Sequence, residues 1–158
     1  MKSILLIDDE TEISAELARS LRRFRFCVET AGTLEKALRV LRQSRFDAVL
    51  LEFNLRSDQK AHPRTGAGLE VVRRLRASGM MTPVLIFTAM EGDPYVKASR
   101  EAGADDFILK TDGIPHLLTR LRAQIGRSEQ ETGAGLLYRL GRISPSHKNT
   151  GRPAVLPK

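Results

Sequence analysis

Four short clusters hold the residues best suited to ion binding or phosphoryl chemistry: Asp8-Asp9-Glu10, Glu52-Phe53-Asn54, Thr88-Ala89 and Lys110. Each lies at the end of a short apolar run. Two or three carboxylates brought into one pocket repel and need a counter-cation, and an all-oxygen donor set that leaves room for water is what Mg²⁺ accepts. Lys110 would add fixed positive charge for a phosphoryl oxygen, and the Thr88 hydroxyl a hydrogen bond to another. Taken singly, each residue has a blander role. Asp9 or Glu10 could start a helix, Thr88 could satisfy a backbone group, and Lys110 could be solvated. Their common placement at the ends of runs makes phosphoryl binding the better joint reading.

The elements that must position them follow from the apolar pattern. Residues 4–7, 26–30, 48–53, 84–88 and 107–110 form β-branched or leucine-rich runs without strict alternation, as expected of strands buried on both faces. Between them, apolar residues recur at helical spacing: Ile13, Leu17, Leu21 and Phe24; Leu34, Leu38 and Leu41; Leu69, Val72 and Leu75; Leu118, Leu121 and Ile125. The fourth intervening helix is weaker in pattern but has a start signal, with Asp93 as cap and Pro94 at the first helical position, and Gly103 ends it. This β-α alternation implies an α/β fold, a doubly wound five-stranded parallel sheet with right-handed crossovers and helices on both faces. In such sheets function collects at the carboxyl ends of the strands, which is where the four clusters fall.

The 158-residue chain carries 26 basic and 19 acidic side chains, a formal net charge of +7, and its length fits one domain. No apolar run reaches the ~18 residues of a membrane span or the length of a signal-peptide core, so a cytoplasmic location without membrane contact is expected. One cysteine, Cys27, excludes an internal disulfide, and three scattered histidines give no zinc-ligand spacing. Cys27 is expected to be a small core residue. Residues 127–158 hold six basic and two acidic side chains and a segment rich in Ser, Pro, Gly and Asn. They are read as a basic, flexible tail following a body of residues 1–126. Gly66-Ala67-Gly68 lacks the third glycine and the preceding strand of a dinucleotide fingerprint.

Ile7-Asp8-Asp9-Glu10, Leu51-Glu52-Phe53-Asn54-Leu55, Phe87-Thr88-Ala89 and the segment 103–110, Gly-Ala-Asp-Asp-Phe-Ile-Leu-Lys, closely resemble the receiver domain of two-component response regulators across residues 1–126. The resemblance implies a flavodoxin-like (CheY-like) fold with strand order 2-1-3-4-5. It also implies a phosphorelay in which an aspartate takes phosphate from a phosphohistidine kinase with the help of Mg²⁺. Position by position, Asp8 and Asp9 match the metal-binding acidic pair, and Asn54 the backbone carbonyl donor to the metal. Thr88 matches the switch hydroxyl, Phe107 the switch aromatic, and Lys110 the phosphate-contacting lysine.

Three departures qualify that expectation. The acceptor position, which also belongs to the metal set, is Glu52; its extra methylene moves the carboxylate by about 1.5 Å, away from the in-line arrangement of phosphoryl transfer. Glu52 then acts as a partial phosphate mimic or pairs with Lys110 and locks one state, and the sequence leaves both open. Thr111 replaces the proline usual after the lysine, so a trans bond is expected there. The loop 56–68 is longer than the usual connection and carries Lys60, His62 and Arg64, which could screen the carboxylates or bind an acidic partner, although a solvated polar loop is the favoured reading.

The expected function is therefore that of an atypical single-domain receiver, not an enzyme, which docks on proteins: a sensor histidine kinase or a downstream effector. The face made by the fourth helix, fifth strand and fifth helix is the expected contact, including a homodimer. A Mg²⁺-dependent phosphatase is the enzymatic alternative, but such enzymes of related topology use Asp-x-Asp, and here Asp9 directly follows Asp8 and position 10 is Glu. A nucleic-acid binder acting through the tail is disfavoured by the lack of aromatic interleaving or a DNA-reading motif.

Overall fold

The computed structural model describes residues 1–56 and 65–139, with side chains to residue 133. Strands β1 (Lys2–Ile7), β2 (Phe26–Ala31), β3 (Ala48–Leu51), β4 (Val84–Thr88) and β5 (Asp106–Leu109) alternate with helices α1 (Thr11–Arg23), α2 (Leu34–Gln43), α3 (Gly68–Ala77), α4 (Asp93–Ala102) and α5 (Gly113–Arg139). All neighbouring strands pair in parallel, in the order β2-β1-β3-β4-β5. The doubly wound sheet and the strand order are those expected.

Successive residues of a strand point to opposite faces, and in the three central strands both faces are apolar. Leu5, Ile7, Val49, Leu51, Val84 and Ile86 pack with residues of α2 and α3 in one core cluster. Ile4, Leu6, Leu50, Leu85, Phe87 and Ile108 pack with residues of α1 and α5 in the other. This explains the unbroken apolar runs. The edge strand β2 pairs only with β1 and is buried mainly at its ends, Phe26 and Ala31. Cys27 is accordingly exposed, with Sγ 3.6 Å from the Met1 sulfur, and is not the core residue its apolar character suggested.

Register places the reactive residues. Ile7 lies opposite Leu51, Leu51 opposite Ile86, and Thr88 opposite Leu109. Asp8, Glu52, Thr88 and Lys110 therefore emerge at one edge of the sheet.

The third and fifth strands end at Leu51 and Leu109, short of the expected residues 53 and 110, and Lys110 opens a 3-10 turn; two further details differ from the expected elements. The residue capping α4 is Gly92, which puts Asp93 and Pro94 within the first turn. The first N–H groups of a helix have no internal acceptor, so proline is harmless at either position and does not fix the start. Gly103 does end α4, in a left-handed conformation with φ 101°, and the amide of Ala104 returns to the Ser99 carbonyl at 3.0 Å. The second difference lies at the carboxyl end. The tail was expected to begin at residue 127, yet α5 continues to Arg139 because 127–131 are mostly good helix formers. Residues 1–128 form one compact unit, α5 residues 129–139 belong to a second, and the rest of the tail, 140–158, lies outside the described residues. No helix among the described residues is long and apolar enough to cross a membrane.

Candidate functional site

Glu52 follows the last residue of β3, and its position is set by close backbone packing. The amide of Gly68, the first residue of α3, donates to the Phe53 carbonyl at 3.0 Å, and a Cβ on Gly68 would lie 2.1 Å from the Glu52 carbonyl oxygen. Only glycine lets α3 start this close to the strand end. The Asn54 side-chain oxygen accepts from the Gly66 amide at 3.0 Å, which closes the same turn. Thus Gly66 and Gly68, weak as a nucleotide motif, hold the segment bearing the central carboxylate.

That carboxylate is 7% exposed and uses both oxygens. Oε1 accepts from the Thr88 hydroxyl at 2.5 Å and from the Asn54 amide at 3.3 Å. Oε2 lies 2.8 Å from Lys110 Nζ. The same ammonium donates to Asp8 Oδ2 at 2.8 Å and stands 3.5 Å from Glu10 Oε1. Asp8, also buried, accepts the Glu10 amide on Oδ1 at 2.9 Å. Lys110 thus neutralises a knot of carboxylates contributed by β1 and β3. Burial alone would lower the lysine pKa; hydrogen bonds to Asp8 and Glu52, and their charge, prevail and raise it above its ordinary value. The lysine stays charged throughout the neutral range.

The Thr88 hydroxyl carries the arrangement onward, since its oxygen also accepts the Met90 amide at 3.2 Å. A single chain of hydrogen bonds therefore runs from the Glu52 carboxylate through Thr88 to the loop preceding α4. Phe107 lies opposite Ile86 on β5, partly buried against the cluster that contains it. No cis peptide bond occurs among the described residues, so Lys110-Thr111 is trans as expected.

Asp8, Glu52, Thr88 and Lys110 come together. Asp9 points to a different partner: its side chain is 7% exposed, and Oδ2 lies 3.0 Å from Arg56 Nε. Among the described residues that buried oxygen accepts no well-directed hydrogen bond. Burial raises the Asp9 pKa, and the Asp8 and Glu52 charges add to the effect, against a backbone hydrogen bond and the Arg56 charge. Asn54 contributes its amide to Glu52 and its side chain to Gly66. The trio whose oxygens lie within 4.8 Å of one another and could hold a metal ion is Asp8, Glu10 and Glu52. Glu10, exposed and read only as part of the acidic run, is thus a member. Lys60, His62 and Arg64 lie outside the described residues. Arg56, the first residue of the same loop, stands on Asp9. A cation just beyond the Glu52 cluster on the same edge was the available signal.

The sequence profile of the response regulator receiver domain matches residues 4–122. The chain is 36% identical over 132 residues to the response regulator MprA of Mycolicibacterium vanbaalenii, covering 84% of this chain and 54% of that protein. It is 35% identical over 131 residues to the response regulator MprA of Mycobacterium bovis, covering 83% and 54%. It therefore spans about half the length of these curated relatives. Among solved structures, the BeF3-activated receiver domain of Klebsiella pneumoniae RstA aligns with a TM-score of 0.69 at 28% identity, covering 78% of this chain and 97% of that one. The non-phosphorylated HemR receiver domain of Leptospira biflexa aligns at 0.67 with 27% identity, covering 79% and 94%. With the parallel sheet, the carboxylates at its edge and the Thr88 and Lys110 partners in place, the chain belongs to the response regulator receiver family of two-component signalling.

Proposed function

We propose that this receiver signals without an acyl phosphate, with the Glu52 carboxylate holding it in an engaged state. The observation that carries the reading is the simultaneous contact of Glu52 with the Thr88 hydroxyl and the Lys110 ammonium. These are the two groups that, by family resemblance, report on a phosphoryl group. A carboxylate offers one charge and two oxygens, where a phosphoryl adds about −1.5 to −2 and three acceptors. The bias is therefore partial, set by the free-energy difference between states. Because the same contacts that mimic phosphate also tie Glu52 to Lys110, mimicry and locking are one arrangement here.

In this reading the chain is a docking module and not an enzyme. Asp8, the nucleophile in a phosphatase alternative, is committed to Lys110 and the Glu10 amide. Its partners are a kinase or effector protein, met through the face of α4, β5 and α5, which also suits a second copy of the chain. Mg²⁺ fits the donor chemistry: the edge offers carboxylate oxygens, and Asp9 Oδ2 is buried without a hydrogen bond. Asp8, Glu10 and Glu52, whose carboxylate oxygens lie together, would hold it, and by the family resemblance Asp9 and the Asn54 carbonyl would join them. The ion would supply positive charge to oxygens at this edge.

The test compares three samples by amide hydrogen exchange across β4, the following loop and β5: the natural chain, Glu52→Asp, and Glu52→Asp with Mg²⁺ and beryllofluoride. The natural chain is expected to match the beryllofluoride-treated variant. A natural chain that instead matches the untreated variant overturns the proposal. Acetyl phosphate should label Glu52→Asp and leave the natural chain unlabelled.

A further inference from the structure

The acidic edge contains a second internal cation besides Lys110, and it stands on the carboxylate that Lys110 does not reach. Arg56 Nε lies 3.0 Å from Asp9 Oδ2, and the Asp9 side chain is 7% exposed while that of Arg56 is 52% exposed. We infer that Arg56 is a resident counter-ion for Asp9, supplying from within the chain the charge a divalent cation would supply, so that Mg²⁺ binds only by displacing it. This rests on the proposed function only in taking the Asp8–Asp9 edge as the place where a divalent ion would be held, and it is independent of what Glu52 does.

Arg56 is delivered to this place by its backbone. Leu55 is fully buried, and the Arg56 carbonyl accepts the Leu34 amide at 3.0 Å, which anchors the chain just after the Glu52–Asn54 turn. The guanidinium is therefore present at a high effective concentration, as a tethered ligand is. It is also suited to the task, being always charged and more weakly hydrated than an ammonium. Its approach to Oδ2 is a charge contact without a well-directed hydrogen bond. It therefore neutralises Asp9 without satisfying its lone pairs, and its exposure leaves it free to swing into solvent. Lys110 on Asp8, Glu10 and Glu52, with Arg56 on Asp9, puts a cation against each of these four carboxylates.

The test is Mg²⁺ titration of the full chain by isothermal calorimetry, paired with thermal unfolding followed by circular dichroism with and without Mg²⁺. The natural chain and Arg56→Lys are expected to bind weakly. Arg56→Ala and Arg56→Gln are expected to bind up to about fivefold more tightly, the most that loss of one half-exposed ion pair corresponds to, and to gain more thermal stability from Mg²⁺ than the natural chain does. In an Asp9→Asn background, the gain from Arg56→Ala should vanish if the effect acts through the contact. Equal Mg²⁺ affinity in the natural chain and both neutral variants overturns the inference. So does a gain that persists in Asp9→Asn. With Mg²⁺ saturating in the exchange comparison on Glu52, that comparison does not depend on Arg56, so the two ideas fail separately.

Discussion

Replacing Lys110 with Met removes the cation from the carboxylate knot while keeping most of the side-chain bulk. At 2.8 Å from both Asp8 Oδ2 and Glu52 Oε2, each contact has a gross Coulomb attraction of about 6 kcal/mol at an effective dielectric of about 20. Those gains are largely offset by the cost of desolvating three charges, so the intact knot contributes little net stability. Deletion is different. It leaves the Asp8 and Glu52 carboxylates facing each other across at most 4.8 Å, a repulsion of about 3.5 kcal/mol in the same medium. The expected loss is about 3–5 kcal/mol, the range for an uncompensated buried charge. The chain contains no tryptophan, so urea unfolding is best followed by far-ultraviolet circular dichroism. With a slope of about 1.5 kcal/mol/M, the midpoint should fall by about 2 M or more. Lys110→Met combined with Glu52→Gln should be more stable than Lys110→Met alone, because the second change removes the repulsion. A single variant within about 0.5 kcal/mol of the natural chain, or a double variant no better than the single, would refute the electrostatic reasoning.

Other perturbations reach the positioning of the site and the elements behind it. Gly68→Ala forces a Cβ against the Glu52 carbonyl, a backbone atom that cannot rotate away; thermal unfolding should show a loss of about 2 kcal/mol or more, and amide exchange should rise at the end of β3. Arg76 donates to the carbonyls of Met80, Thr82 and Gly103 and to the Asp105 carboxylate, stapling α3 to the segments on either side of β4. Arg76→Ala should cost about 2–4 kcal/mol in urea unfolding, with little recovery in Arg76→Lys because an ammonium cannot span that fork. Burial alone would raise the Asp106 pKa, but hydrogen bonds from Arg120, Gln124 and the Phe107 amide hold it below the ordinary carboxylate value. The stability it contributes is therefore present above the unfolded value of about 3.9 and is lost as pH falls through the lower folded value. Asp106→Asn should flatten that acid limb of the stability–pH profile, and an unchanged limb would remove Asp106 from the account.

The apolar runs, the helical spacing between them and the polar residue closing each run were enough to determine a parallel α/β sheet and to put Asp8, Glu52, Thr88 and Lys110 at strand ends. Both patterns are local, and burial on one or two faces writes them directly into consecutive residues. The substitution at Glu52 was equally legible, because it changes a side chain and not the fold. What the carboxylate touches was decided only by tertiary structure: Lys110 meets Asp8 across 102 residues of chain, a contact that depends on strand order and register together. The pairing of Arg56 with Asp9 depends on the chain path after β3, and the need for glycine at 68 on how closely α3 approaches that strand. Cys27 shows the same limit. An apolar side chain in a strand is buried only where a neighbouring element covers it, and on the edge strand β2 the ends, Phe26 and Ala31, are covered while Cys27 is exposed. Residue types and periodicity reveal which surfaces seek cover and which groups can react, whereas the distances that decide charge balance arise only when distant segments pack.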